Sequence, residues 1–123
     1  MAAPKDPEGD TFLATYVISE RHDEVTDEAA FATYREVTGR MVKRHGGVYL
    51  TVSRDASLLE GDKPPLVVGI IRFPSLEHVR AWWDSPEYQA IAPLRRTVPM
   101  RVYAVSGTIP SHAVTDDHVK EDV

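Results

Sequence analysis

Four stretches of the chain carry strand-like patterning and three carry helix-like patterning. Phe12 to Ser19 is rich in β-branched and aromatic residues and reads as a first strand, with neither of its two alternating faces clearly polar. After a charged connection, Arg21 to Glu24, Thr26 or Asp27 is placed to cap a helix whose first turn carries Glu28. Phe31, Tyr34, Val37, Met41 and Val42 recur along it at spacings near 3.6, while Arg35, Glu36, Arg40, Lys43 and Arg44 fall mostly on other faces. Gly46 and Gly47 end that helix. Val48 to Ser53 reads as a second strand, and Arg54 to Pro65 as a long polar loop. Leu66 to Phe73 reads as a third strand, apolar almost throughout, which predicts burial on both faces. Pro74 and Ser75 open a second helix with the stripe Leu76, Val79, Trp82 and Trp83, and Ser85 with Pro86 restarts a short third one. Met100 to Gly107 closes the pattern as a fourth strand.

The order strand, helix, strand, strand, helix, strand predicts an α+β fold of the ferredoxin-like split βαβ type, a four-stranded antiparallel sheet with helices on one face. The opposite face would then expose more apolar surface than soluble monomers usually show. A second copy packed sheet to sheet about a two-fold axis covers it and leaves a barrel-like space, so a homodimer is expected.

Composition narrows function mainly by exclusion. The 123 residues suit one domain, and 42% hydrophobic with 27% charged residues is ordinary for a globular chain. There is no cysteine, which removes disulfides, thiolate nucleophiles and thiolate-held metals. The formal charge of −5 belongs to the ends: Met1 to Asp10 and Thr108 to Val123 carry −2 and −3, leaving 12 acidic and 12 basic residues between them. Both ends read as mobile tails flanking a folded unit from Thr11 to Gly107. A neutral middle without a basic block gives no footprint for nucleic acid or an anionic membrane. No run approaches the roughly 18 apolar residues of a membrane span, and Met1 to Asp10 lacks the apolar core of a secretory signal, so a cytoplasmic location is expected. His22, His45, His78, His112 and His118 are scattered without metal-ligand spacing, and no phosphate-binding or dinucleotide-binding glycine motif occurs. Neither metal nor cofactor is expected.

His45-Gly46-Gly47, Tyr49-Leu50, Leu59-Glu60-Gly61-Asp62, Phe73-Pro74-Ser75, Trp82, and Asp84-Ser85-Pro86-Glu87-Tyr88 followed by Pro93-Leu94-Arg95 resemble, in that order, the signature of the domain-of-unknown-function 1330 family. The resemblance covers roughly Ala14 to Gly107 and implies the dimeric α/β-barrel superfamily, with a pocket between sheet and helices. Relatives in that superfamily include cofactor-free monooxygenases, lactone isomerases, polyketide cyclases and haem-dependent enzymes, so the fold leaves the reaction open. Arg72 stands where the family usually has an acidic residue, Val48 where it often has an arginine, and Ser53-Arg54-Asp55 where it has a glycine-rich turn.

By alternation Arg72 shares a face with Val68 and Ile70, assigned to the space between the sheets. It would either pair across the dimer with Glu20 or Asp23, or hold a substrate carboxylate or enolate. His45, at a helix end, is an acid-base candidate or a packing residue. Tyr16, Tyr49 and Tyr103 either project hydroxyls into the cavity or belong to the core. Glu60 and Asp62 flank Gly61 in the long loop, as pocket-rim acids or as turn residues. Trp82, Trp83 and Tyr88 form an aromatic cluster that is wall or core, and Arg95 either binds an anion or pairs with Glu87. The expected function is a cofactor-independent enzyme, cyclase-like or isomerase-like, acting on a hydrophobic carbonyl or carboxylate metabolite. A non-catalytic small-molecule-binding or stress-related dimer is the alternative, and a structural dimer with a filled lumen is a third.

Overall fold

A computed structural model describes residues 11–110 of the chain. Its elements are β1 (Thr11–Arg21), α1 (Glu28–Arg44), β2 (Val48–Ser53), β3 (Val67–Phe73), α2 (Leu76–Trp83), α3 (Pro86–Arg95) and β4 (Met100–Ile109). The strands form one antiparallel sheet in the order β2-β3-β1-β4, which is the ferredoxin-like topology. Of the expected tails 1–10 and 108–123, residues 1–10 and 111–123 lie outside the described residues, while Thr108 and Ile109 extend β4 past its expected end at Gly107.

The helix boundaries follow local chemistry. Asp27 rather than Thr26 caps α1, its carboxylate accepting from the Ala30 amide at 3.1 Å. His45 is the C-cap, and Gly46 follows at φ 85°, a left-handed turn that glycine adopts without a Cβ penalty. Ser75 caps α2 through the His78 amide, and Ser85 caps α3 through the Tyr88 amide, with Pro86 in the first turn.

Two boundaries differ from expectation with consequences. β1 runs on to Arg21, which pairs with Val67 and Met100, so Arg21 is a buried strand residue and not part of a charged connection. β3 is covered on one face only: Gly69, Ile71 and Phe73 lie under the helices, whereas Val68 and Ile70 are half-buried and Arg72 is exposed on the open face. Its continuous apolarity therefore marks a second face left open in the single chain.

The core is aromatic. Phe73 stacks on Trp82 at 5.5 Å between ring centres, and Trp82 and Trp83 each stand 4.9 Å from Tyr88, the largest fully buried side chain. Val17, Met41, Val42, Ile71, Val79 and Ala92 complete it.

Two glycines separate tight packing from open space. A Cβ at Gly47 would lie 2.5 Å from Val42 Cγ1 and 2.8 Å from Phe73 Cζ, whereas one at Gly39, mid-way along α1, would meet nothing within 4 Å. Gly47→Ala is expected to cost roughly 1–3 kcal/mol by overpacking. Gly39→Ala is expected to add about 0.5–1 kcal/mol through helix propensity. Urea unfolding of the two variants checks both signs, and equal effects would contradict the packing described.

Candidate functional site

The space at Gly39 belongs to an open cavity of about 640 Å³ between α1, α2 and the helix-covered face of the sheet. It exists because small residues occupy positions where larger ones would close it: Ser19 on β1, Gly39 on α1 and Gly69 on β3 all line it. Gly69 sits opposite Ser19, and a Cβ there would come within 2.7 Å of the serine oxygen, so both positions stay low on the cavity floor. A register shift between Tyr49 and Thr51 shapes the near wall. Tyr49 pairs with Ile71 and Val52 with Gly69, three residues on β2 against two on β3. The extra residue restores phase, so Tyr49 and Val52 both face the cavity, which strict alternation would forbid.

The inner wall is aromatic with a buried polar seam behind it. Phe31, Tyr34, Trp82 and Trp83 line the cavity. The Tyr34 hydroxyl is 2.8 Å from that of Tyr88, which accepts a 3.1 Å hydrogen bond from Arg95 Nε. Arg95 is 8% exposed and its guanidinium lies 5.2 Å from the Trp83 ring centre. A guanidinium only donates, so the Tyr88 oxygen accepts from Arg95, while between the two phenols either hydroxyl can donate. When Tyr88 donates, the Tyr34 proton is available to the neighbouring Thr38 hydroxyl or to a group in the cavity. Burial, reinforced by Tyr88, pushes the Tyr34 phenol well above its ordinary pKa; the Thr38 hydroxyl and the Arg95 charge oppose this without cancelling it. Tyr34 is therefore a neutral hydrogen-bond donor across the working pH range. Burial likewise raises Tyr49, with a smaller push from Tyr88. Two fully buried polar atoms, Thr38 Oγ1 and Trp82 Nε1, lack a hydrogen bond of good geometry, and both belong to cavity-wall residues.

At the end formed by Val67 and Met100 the lining turns cationic, with Arg21, Arg35 and Arg54. Among the described residues no aspartate, glutamate, lysine or histidine lines the cavity. Among the described residues no group of three or more His, Asp or Glu is gathered to hold a metal ion, and no helix is long and apolar enough to cross a membrane.

The residues singled out from the sequence divide accordingly. Tyr49, Trp82 and Trp83 line the cavity. Tyr88 and Arg95 stand behind its wall, and Arg95 bonds Tyr88 while Glu87 pairs with Arg44 instead. His45 caps α1 away from the lining, and Glu60 and Asp62 are exposed on the loop around Gly61. Tyr16 and Arg72 are register partners on the open face of the sheet. Tyr103 also points there, donating a 2.6 Å hydrogen bond to Glu20 that raises its phenol pKa. Arg72 makes no ion pair with Glu20 or Asp23 within the chain. Sequence reasoning missed Tyr34, Thr38, Arg21 and Arg35. The readable signal was the run Val17, Ser19, Arg21, which alternation places together on the helix-covered face with two polar members.

The sequence matches the family model described as Domain of unknown function (DUF1330) over residues 14–108. The chain belongs to this family. No functionally curated protein matches it in sequence. Among solved structures, methylated RPA0582 of Rhodopseudomonas palustris is 18% identical, with 90% of this chain and 99% of that one covered at a TM-score of 0.65. The cofactor-independent oxygenase SnoaB of Streptomyces nogalater is 16% identical over 80% of this chain and 98% of its own, at 0.53. An EthD family protein of Bacillus halodurans is 12% identical over 77% and 99%, at 0.54. At these identities the likeness establishes the shared fold.

The phenol environments are directly measurable. Because Tyr34, Tyr49 and Tyr103 are all raised, native protein titrated past the ordinary phenol value of about 10 should form phenolate later than the same chain unfolded in denaturant. Tyr34→Phe should remove only the latest-titrating portion. Superimposable native and unfolded absorbance curves would contradict this.

Proposed function

We propose that this family member is a cofactor-independent enzyme acting on a hydrophobic carbonyl-bearing metabolite, by enolisation, isomerisation or cyclisation in the cavity between sheet and helices. The observation that supports the reading is the Arg95–Tyr88–Tyr34 seam, which holds a neutral hydroxyl in the wall of an aromatic-lined space. A substrate carbonyl facing Tyr34 gains a donor at the oxygen where negative charge develops. Among the described residues the lining offers no carboxylate or imidazole, so the proton lost from carbon leaves to water at the open end, and the protein's contribution is to stabilise the oxyanion. The cofactor-independent oxygenase on the same fold is compatible with this chemistry.

Deuterium uptake from D2O at the activated carbon of cyclic 1,3-diketones and aromatic enols, followed by NMR, tests the reading. Wild type should accelerate exchange for at least one member, and Tyr34→Phe should lower that rate by about 10²–10³-fold. Gly39→Leu, which fills open space, should abolish it with the fold intact. Wild-type rates in both variants would defeat the proposal. The absence of a neutral-pH acid or base from the lining also favours a second reading, a non-catalytic carrier: saturable binding blocked by Gly39→Leu, without turnover of any compound, would select it.

The same proposal includes a homodimer. Val48, Leu50 and Val105 are exposed on the open sheet face beside half-buried Val68 and Ile70, and Glu20, Arg72 and Arg101 give that face both signs of charge. A second copy is the occupant that matches such a self-complementary surface. Light scattering should give twice the 13.7 kDa chain mass, and Ile70→Arg should give the single chain. A monomeric wild type would exclude the dimer.

A further inference from the structure

The three arginines at one end of the cavity are unused by the oxyanion chemistry, and their surroundings say what they are for. The sheet register gathers them. Arg21 ends β1 against Val67 and Met100, and Arg54 directly follows Ser53, the partner of Val68. Arg35 reaches the same end from α1: its guanidinium is 5.2 Å from the Phe31 ring centre, and that of Arg21 is 5.4 Å from the same ring. Two cations thus share one aromatic ring. Among the described residues neither forms an ion pair, nor does Arg54. Arg21 is only 3% exposed, yet the hydrogen bond seen for its guanidinium goes to the backbone carbonyl of Asp23, not to a carboxylate. A buried cation without a counter-ion is costly, and a second cation beside it raises the cost. Arg54 also borders a neighbouring groove with Asp23, Glu24 and Asp55, so the unmatched buried charge is that of Arg21, with the exposed Arg35 beside it.

We infer that the ligand of this cavity is a flat, largely apolar carboxylic acid whose carboxylate is held by Arg21 and Arg35, while its aromatic or conjugated body lies against Phe31, Trp82 and Trp83. The inference rests on the reading of the cavity as a small-molecule site and adds the chemical class of its occupant. A planar carboxylate matches the guanidinium fork, and the remaining lining is apolar apart from Arg54, Ser19, Thr38 and the two tyrosines. Held in this way, the acid would leave its far end beside Tyr34.

Calorimetric titration of the full chain with 2-naphthoate and with 2-naphthamide isolates the charge, because the two share one bicyclic body. Naphthoate should bind at least about tenfold more tightly, as expected for hydrogen bonds to a charged group. Arg35→Gln, on an exposed helix position, should reduce naphthoate affinity about 5–10-fold and leave naphthamide within about twofold. Arg21→Gln should do the same wherever it folds. Raising salt from about 50 to about 500 mM should shrink the preference without removing it. Equal affinities for the two probes, both blocked by Gly39→Leu, would overturn the acid inference and leave the cavity reading standing. A preference for naphthoate that persists in Arg35→Gln and in a folded Arg21→Gln would overturn it too. Failure of both probes to bind would sink the cavity reading and the inference together.

Discussion

The site is organised around one buried phenol. Tyr88 has no solvent contact, so its hydroxyl must find partners within the protein or cost about 1–3 kcal/mol as an unsatisfied group. It finds Arg95 on its own helix and Tyr34 on α1, and so ties the two helices together through a polar contact in an otherwise apolar core. Its ring meanwhile packs edge-on to Trp82 and beside Trp83, fixing both indoles at the cavity wall. Because arginine stays protonated and only donates, the Tyr88 oxygen is the acceptor on that side. The placing of the Tyr34 hydroxyl is then tied to satisfying the buried group it touches directly.

The cavity and the core compete for the same residues. Trp82 stacks on Phe73 to hold α2 against the sheet, while another part of it lines the cavity. What keeps the space open is the absence of side chains at Gly39 and Gly69 and the short one at Ser19, together with the extra residue on β2 that turns both Tyr49 and Val52 inward. Glycine in mid-helix sacrifices stability that alanine would restore. A helix that keeps Gly39 where nothing lies within 4 Å of its missing Cβ is giving up stability for volume. That exchange is intelligible when the volume receives a ligand.

Much of the fold was legible in the sequence because it depends on local signals. The caps at Ser75 and Ser85, the glycine pair after α1, the stripe from Phe31 to Val42 and the strand order all act within a few residues. Part of the site was legible as well: Tyr49, Trp82 and Trp83 are large aromatics on elements that face inward. The rest depended on register. Tyr34 reads as one more core residue of the α1 stripe until Tyr88 is placed beside it, 54 positions away. Arg35 reads as a solvated helix residue until Phe31, one turn earlier, is seen to lie between it and Arg21. His45, Glu60 and Asp62 were attractive for their titration range, but a capping position and an exposed loop keep them off the lining.

Arg72 and Arg21 show why the side of the sheet decides what an arginine means. Each lies on a strand of the central pair, β3 and β1. Arg72 faces outward, where water solvates it in the single chain and a second copy can present Glu20 to it, so nothing about it calls for a small-molecule ligand. Arg21 faces the helices, loses nearly all of its hydration, and shares Phe31 with another cation and no carboxylate. The cost of an unmatched charge grows as water is removed, so the inward arginine carries the stronger demand for an anion although the outward one is more conspicuous in the sequence. Parity along a strand changes with a single residue of register. The two faces of this one sheet can therefore serve separate ends, association on one and ligand recognition on the other.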